Sequence, residues 1–210
     1  MDNVFAKNNI STHSHPNPID EEIVLDPNKS IMSKTDSKGV IEYANDYFMT
    51  ISGYQEFELM GKPHNVIRHP DMPKVIFKIM WQELKKGNPI FALVKNLAKD
   101  GRYYWVIVNF EIRYDAEGKI TSYYAHRKAA PEHAKYKIEK LYTKLRAIEI
   151  NQNVNIAYKY FIGLLEEEGM SYEDYISSVL DIEKNIITSY FDDNTTKKEK
   201  KGLFSRLFGA

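Results

Sequence analysis

Alternation of apolar and polar residues predicts five β-strands in the first 130 residues. These strands span 31–35, 40–44, 89–98, 103–114 and 119–127. Two of the turns between them, Asp36–Gly39 and Asp115–Gly118, begin with Asp and end with Gly, which suits tight turns. Because the strand over 103–114 is fairly apolar on both faces, we expect the sheet to have helices on one side and a ligand on the other.

Between the second and third strands, the pattern changes to helical. Asn45 caps a short helix over 46–51, and short helical turns follow through 57–60. A longer helix begins near Pro73, whose fixed φ suits a first turn, and ends near Lys86 before a glycine. This order of elements predicts an α+β fold, namely an antiparallel five-stranded sheet with short helices on one face, followed by an α-helical C-terminal region.

The residues after the last strand have helical periodicity, with helices over 132–150, 154–168 and about 171–191. Their apolar stripes require a partner, which is either a small bundle within the chain or a helical dimer interface. We therefore divide the chain into four regions. They are a flexible N-terminal arm (1–28), a sensory domain (29–129), a helical region for dimerisation or partner docking (130–192) and a basic amphipathic tail (193–210).

Composition excludes several classes of function. The formal net charge of the 210 residues is zero, so nothing global indicates binding to nucleic acid. The absence of cysteine excludes disulfides, thiolate metal sites, iron–sulfur clusters and a cysteinyl–flavin adduct. His13 and His15 have no further ligand nearby, so we expect no metal site. Without an apolar run long enough to span a bilayer or a signal peptide, we expect a soluble cytoplasmic protein.

The segment from Pro63 to Gly87 carries the strongest chemical signal. It places Asn65, Arg68, His69 and Asp71 within seven residues, and the helix that follows includes Phe77 and Trp81. Ligand sites combine apolar walls with a few convergent polar groups, and this mixture fits a ligand with a flat ring and a phosphate. We see no nucleophile–base arrangement that would indicate an enzyme.

Three stretches of residues 35–127 resemble a PAS domain, and specifically the FAD-binding PAS domain of aerotaxis (energy-taxis) receptors. They are TDSKGVIEYAND, ISGYQEFELMGKPHNVIRHPDMPKVIFKIMWQELKKG and LVKNLAKDGRYYWV. The hairpin and the Lys-Asp-Gly turn are common to many PAS domains, whereas GKPHNVIRHPDMP is specific to this subfamily. The resemblance covers under half of the chain.

The resemblance implies an FAD cofactor and a set of residues that bind it. Those positions are Asn45, Arg68, His69, Asp71, Phe77, Trp81 and Asn96. Trp81 and Phe77 suit a flat ring, the two asparagines suit its amide-like edge, and Arg68 suits a pyrophosphate, with Asp71 expected to orient Arg68.

Those receptors usually continue into a membrane anchor and a signalling hairpin, which we do not expect here, so the chain instead resembles the stand-alone PAS partners of bipartite energy-taxis systems. This resemblance implies a redox or energy-taxis sensor that acts with a separate, membrane-bound transducer of the methyl-accepting type. We expect a homodimer that reaches the inner membrane through this partner or through its C-terminal tail, where residues 197–208 form a short basic amphipathic element. Two alternatives stay open. One is a haem sensor with His69 or His64 as axial ligand, and the other is a ligand-free dimerisation or docking scaffold.

Overall fold

A computed structural model describes residues 16–182 and Phe191. The strands are β1 (Ile31–Asp36), β2 (Ile41–Ala44), β3 (Ala92–Leu97), β4 (Tyr103–Tyr114) and β5 (Ile120–Ala129). The helices are α1 (Asp46–Ser52), α2 (Glu56–Leu59), α3 (Lys74–Lys86), α4 (Glu132–Asn151), α5 (Val154–Glu167) and α6 (Tyr172–Leu180), with a 3-10 helix over His64–Ile67.

The five strands form one antiparallel sheet in the order β2-β1-β5-β4-β3. The α+β fold expected from the sequence is therefore confirmed. The three helices between β2 and β3 are built largely as predicted. Asn45 caps α1 by accepting a hydrogen bond from the Phe48 amide at 3.0 Å, and Gly87 ends α3 with a φ of 85°.

Strand alternation assigns the two sheet faces to different partners. On β3, Val94 and Asn96 face α3, so Lys95 points to the opposite face. Helix α4 packs on that outer face, where Tyr142 stacks on Trp105 with ring centroids 6.2 Å apart. The Tyr142 hydroxyl also donates to the Leu93 carbonyl at 2.7 Å. The helical region thus continues directly from β5 onto the back of the sheet.

Helices α5 and α6 pack against α4 within the same chain. Ala157 and Phe161 of α5 and Ile176 of α6 are buried in the same apolar core as Ile138 of α4. Lys137 of α4 also forms an ion pair with Asp181, the residue after α6, with Nζ and Oδ1 2.7 Å apart. The bundle interpretation of the apolar stripes is therefore realised in one chain, and homodimerisation stays a prediction.

Several boundaries differ from the sequence prediction, and three of these differences matter here. Helix α6 ends at Leu180, where Asp181 adopts the left-handed φ of 54°, and the helical prediction for residues 183–190 lies outside the described residues. Strand β3 begins at Ala92 instead of Pro89. Residues 19–23, assigned to the arm, are paired with the start of β4, where the Ile23 amide donates to the Tyr103 carbonyl at 2.7 Å.

Several sequence predictions lie outside the described residues. They concern residues 1–15, with His13 and His15, and the tail over 193–210. Among the helices that the structure does describe, none combines the length and the apolar character needed to cross a bilayer.

We expect Tyr142→Phe to lower the free energy of unfolding by about 1 kcal/mol, because it removes the hydrogen bond between α4 and β3. Chemical denaturation measures this change. Tyr136→Phe on the same helix is the matched control, since Tyr136 is 66% exposed, and it should leave stability within about 0.5 kcal/mol. Equal losses in the two variants would show that this bond does not hold α4 to the sheet.

Candidate ligand-binding cavity

A cavity of about 350 Å³ lies between α3 and the inner face of the sheet. This volume is at the small end of the range of ligand sites, roughly 300–1,000 Å³. Apolar side chains form most of its wall, and a few polar groups converge on it. The lining residues are Thr35, Lys38, Gly39, Pro63, His64, Asn65, Arg68, Phe77, Met80, Trp81, Leu84, Val94, Asn96, Val108, Phe110, Tyr123, Ala125 and Arg127.

Helix α3 supplies the apolar wall from one face. Phe77, Met80, Trp81 and Leu84 follow the spacing i, i+3, i+4, i+7, which places them on one side of a helix. The Trp81 ring meets Tyr123 of β5 edge-on, with centroids 5.6 Å apart and planes at 78°. Trp81 and Phe77 are only half-buried, so both leave ring surface accessible to a ligand.

The segment between α2 and α3 brings Arg68 to the cavity. The 3-10 helix ends at Ile67, and the Arg68 backbone then forms a β-bridge with Asn96 of β3. The guanidinium lies over the Phe77 ring at 5.0 Å and donates through Nη2 to the Met72 carbonyl at 2.6 Å. Burial lowers the pKa of Arg68 from its ordinary value.

Two buried donors in the wall have no hydrogen-bond partner among the described residues. They are Nε of Arg68 and Nδ2 of Asn96. A buried donor without a partner is costly, and native proteins rarely keep one without a reason. Flavin offers carbonyl oxygens along one edge of its ring and phosphate oxygens on its side chain. The residues present therefore fit a flavin nucleotide chemically.

Arg127 adds a buried cation that the sequence interpretation did not assign. Its residue is 5% exposed, and it donates to Ser33 Oγ at 3.0 Å and to the Ala125 carbonyl at 3.3 Å. Its Nη2 lies 2.8 Å from Nε2 of His64. Because a guanidinium can only donate, Nε2 is the acceptor and His64 is neutral. Arg127 has no ion pair with a carboxylate in the described part of the chain, and burial lowers its pKa to about 10.

The structure separates the seven sequence-predicted site residues into two groups. Arg68, Phe77, Trp81 and Asn96 line the cavity, and the other three do not. Asn45 is buried, and its amide accepts from the Met32 and Phe48 backbones and donates to the Ser30 carbonyl. It thus joins β1 to α1.

His69 and Asp71 face away from the cavity. The His69 ring meets Tyr103 edge-on, and its Nδ1 accepts from the Asp71 amide at 3.1 Å. Burial and the charge of Lys95 lower the pKa of His69 to about 4, so the ring is neutral at pH 7. The Asp71 carboxylate lies 3.5 Å from Lys95 Nζ, so the expectation that Asp71 orients Arg68 is wrong.

These positions also bear on the two candidate haem ligands. His69 does not line the cavity. His64 does, but its Nε2 already accepts from Arg127, and its ring stacks on Phe48 with centroids 5.9 Å apart.

Arg127 could have been found from the sequence by strand alternation. Tyr123, Ala125 and Arg127 occupy every second position of β5, so all three point to the same face. A charged residue at an inward position is a signal of function, because an unpaired buried charge is unfavourable.

We expect Gly39→Ala to destabilise the protein more than Gly118→Ala. Both glycines have left-handed backbones, with φ of 86° and 80°, so both variants carry the same backbone strain. A Cβ on Gly39 would lie 2.9 Å from the Trp81 ring, whereas a Cβ on Gly118 meets open space. Chemical denaturation should show an excess loss of about 1–3 kcal/mol for Gly39→Ala. Equal losses would mean that Trp81 moves freely.

We expect Arg127→Met to raise the pKa of His64. Burial lowers the pKa of this ring well below 6.5, and the charge of Arg127 lowers it further, so removing the cation favours the protonated ring. NMR titration of the histidine ring signals measures the change. Arg113→Met, at an exposed position of β4, is the control, and a His64 pKa equal to that of the control would contradict the assigned contact.

Comparison with known proteins supports this description of the fold. A family model described as the PAS fold matches residues 41–125. The aerotaxis receptor of Escherichia coli (strain K12) is 41% identical over 155 residues, which cover 72% of this chain and 30% of the receptor. A nitrogen fixation regulatory protein of Klebsiella pneumoniae is 29% identical over 94 residues, covering 45% of this chain and 19% of that protein.

Among solved structures, a chain from the study titled "Flavin Analogue Sheds Light on Light-Oxygen-Voltage Domain Mechanism" superposes with a TM-score of 0.48 and 22% identity. The superposition covers 53% of this chain and 85% of that one. Our chain spans less than a third of the aerotaxis receptor that it matches. On the family match and the identity to the receptor, this chain is a PAS-domain protein related to the aerotaxis receptor.

Proposed function

We propose that this protein is a flavin-binding sensor for redox or energy taxis, with FAD bound between α3 and the inner face of the sheet. The observation that carries the proposal is the cavity wall itself. It combines the accessible rings of Trp81 and Phe77 with the unpartnered donor of Asn96 and the cations Arg68 and Arg127. The 41% identity to the aerotaxis receptor gives this chemistry a biological context.

Each polar residue of the wall has a distinct role in the proposal. Asn96 would donate from its unpartnered Nδ2 to a ring carbonyl. Arg68 would bind an anionic group of the cofactor, because its guanidinium is a planar cation whose Nε has no hydrogen-bond partner among the described residues. Trp81 and Phe77 would cover the ring, where aromatic contact adds about 0.5–1.5 kcal/mol beyond area burial.

The remaining three predicted residues would act on the cofactor indirectly. Asn45 fixes the position of α1 relative to β1, and the turn of His69 and Asp71 fixes the path of the chain after Arg68. In this proposal they hold the wall in place rather than touch FAD.

A bound flavin would supply reversible electron uptake, which changes the charge and the hydrogen-bonding edge of its ring. Arg127 would favour added negative charge, since it is a buried cation whose acceptors in the described part of the chain are all neutral. Asn96 would re-pair its amide as the ring edge changes. A bias of 1.4 kcal/mol between two conformers is a tenfold shift in their ratio, so modest changes in these contacts suffice for signalling.

We further propose that the protein signals through a membrane-bound transducer of the methyl-accepting type and that it catalyses no turnover. The name of the related receptor supports a role in aerotaxis. In this proposal the protein is a cytoplasmic homodimer that docks to the transducer, and the basic amphipathic tail contributes to docking or to peripheral membrane contact.

We expect Trp81→Ala and Arg68→Ala each to weaken FAD binding at least tenfold, which corresponds to about 1.4 kcal/mol. The first removes the ring surface and the second removes the charged donors. Quenching of flavin fluorescence on addition of the refolded or purified apoprotein measures the affinity.

Trp105→Phe and Arg113→Ala are the matched controls, because Trp105 lies on the outer sheet face and Arg113 is exposed. Both should retain wild-type affinity. Stoichiometric flavin in the Trp81 and Arg68 variants would place the cofactor elsewhere, and wild-type protein that takes up no FAD would favour the scaffold function.

A further inference from the structure

The charged side chains that line the ligand cavity are all positive. Lys38, Arg68 and Arg127 line it, and no aspartate or glutamate does so among the described residues. The whole chain has 29 basic and 29 acidic residues, so this imbalance is local and does not follow from the composition. Charges of one sign on the walls of a cleft concentrate the field there and attract ions of the opposite sign. The cavity therefore favours an anionic ligand.

The cavity opens beside the turn between β1 and β2. Three of its lining residues are exposed, namely Lys38, Pro63 and Asn65, and they lie on this turn and at the start of the 3-10 helix. The lining residues on the sheet, such as Val94 and Val108, are buried. A ligand therefore reaches the inner face of the sheet by passing Lys38 and Asn65.

The cavity is too small to enclose a whole flavin dinucleotide. Its volume of about 350 Å³ is at the small end of the range for drug-sized ligands. FAD joins a flat ring system and a ribityl chain to a diphosphate and an adenosine. With the ring inside the cavity, the diphosphate would lie at the opening, where the exposed lining residues are.

A fixed turn holds Lys38 at this opening. Asp36 Oδ1 accepts the Lys38 amide at 2.8 Å. The next carbonyl, that of Gly39, accepts the His64 amide at 3.0 Å, which joins the turn to the 3-10 helix. Gly39 also lies against the Trp81 ring, because a Cβ at this position would be 2.9 Å from it. The turn is thus tied to two walls of the cavity, and the position of Lys38 is set by both.

The ammonium group of Lys38 is available to a ligand. Two other lysines near the sheet pair with acidic side chains, since Lys34 lies 2.8 Å from Glu42 and Lys99 lies 2.6 Å from Glu58. In the part of the chain that the structure describes, the Lys38 side chain forms no such ion pair, and only its backbone amide is hydrogen-bonded. Lys38 is therefore an exposed cation without a carboxylate to neutralise it, at the opening of a positively charged cavity.

We propose that Lys38 binds the phosphates of a flavin nucleotide at the opening and selects the nucleotide over riboflavin, which has no phosphate. The choice of flavin as the ligand rests on the proposed function, and the assignment of Lys38 goes beyond it. An exposed ion pair contributes little compared with a buried one. Lys38 thus sets the preference between related flavins, whereas the ring contacts inside the cavity supply most of the affinity.

Titration of the ligand-free protein with FAD and with riboflavin tests this inference through the quenching of flavin fluorescence. We expect wild-type protein to bind FAD about tenfold more tightly, because hydrogen bonds to charged groups are the strong ones. Lys38→Met should weaken FAD binding about fivefold at low salt and leave riboflavin binding unchanged. At roughly 0.5 M salt the loss for FAD should shrink to less than about twofold, because salt screens exposed charges.

Lys119→Met is the matched control. Lys119 is an exposed lysine beside the turn between β4 and β5, where its amide donates to Asp115 Oδ1 at 2.8 Å, and it does not line the cavity. This variant should bind both flavins as wild-type protein does. Lys38→Arg keeps the positive charge and should keep the preference for FAD.

Two results would overturn the role of Lys38. Unchanged FAD affinity in Lys38→Met would show that the phosphates lie elsewhere, and equal losses for FAD and riboflavin would show that Lys38 only supports the cavity wall. A loss for FAD that persists at high salt would likewise contradict an exposed charge contact. Wild-type protein that binds neither flavin would instead refute the proposed function, and this inference with it.

Discussion

A buried guanidinium that has no anionic partner among the described residues is the constraint on which this structure depends. Arg127 is held by a hydroxyl, a carbonyl and a neutral imidazole, all of which accept hydrogen bonds without balancing its charge. Removing an ion from water costs several kcal/mol even when hydrogen bonds are made. An anionic or readily reduced ligand in the adjoining cavity would offset this cost, and the half-buried aromatic face of α3 would cover such a ligand.

The sheet lies between the ligand cavity and helix α4. Its inner face, with Asn96 and Arg127, forms the ligand cavity, and its outer face, with Trp105, carries α4. Only a thin layer of protein lies between the two sites, and the segment over 68–75 borders both. A change on one side therefore has a short physical route to the other, through hydrogen bonds to backbone groups of that segment.

Periodicity predicted much of this architecture from the sequence. The strands and α3 were found because their apolar positions repeat with the period of a sheet or a helix, and this also placed Phe77 and Trp81 on one helix face. Periodicity does not apply to an irregular turn. Arg68, His69 and Asp71 are neighbours in sequence, yet only Arg68 lines the cavity. Similarly, the left-handed conformation of Asp181, which ends α6, has no clear signal in the sequence.

Contacts between distant parts of the chain could not be predicted from the sequence for a different reason. Glu149 is one of many acidic residues on helical surfaces, and nothing local distinguishes it from Glu139. Its carboxylate accepts a hydrogen bond from the Val75 amide, at the start of α3, only because α4 lies across the sheet. Arg127 was missed because its strand carries several polar residues, although alternation with Tyr123 and Ala125 places it on the inner face, where it lies beside Ser33.

The visible absorption spectrum of the purified protein, recorded before and after addition of dithionite, tests the central claim most directly. The account predicts a yellow protein with the absorption bands of an oxidised flavin, which bleach on reduction and return in air. A Soret band would identify haem instead. A colourless protein that gains no flavin spectrum when FAD is added would contradict the claim that this cavity exists to hold a redox cofactor.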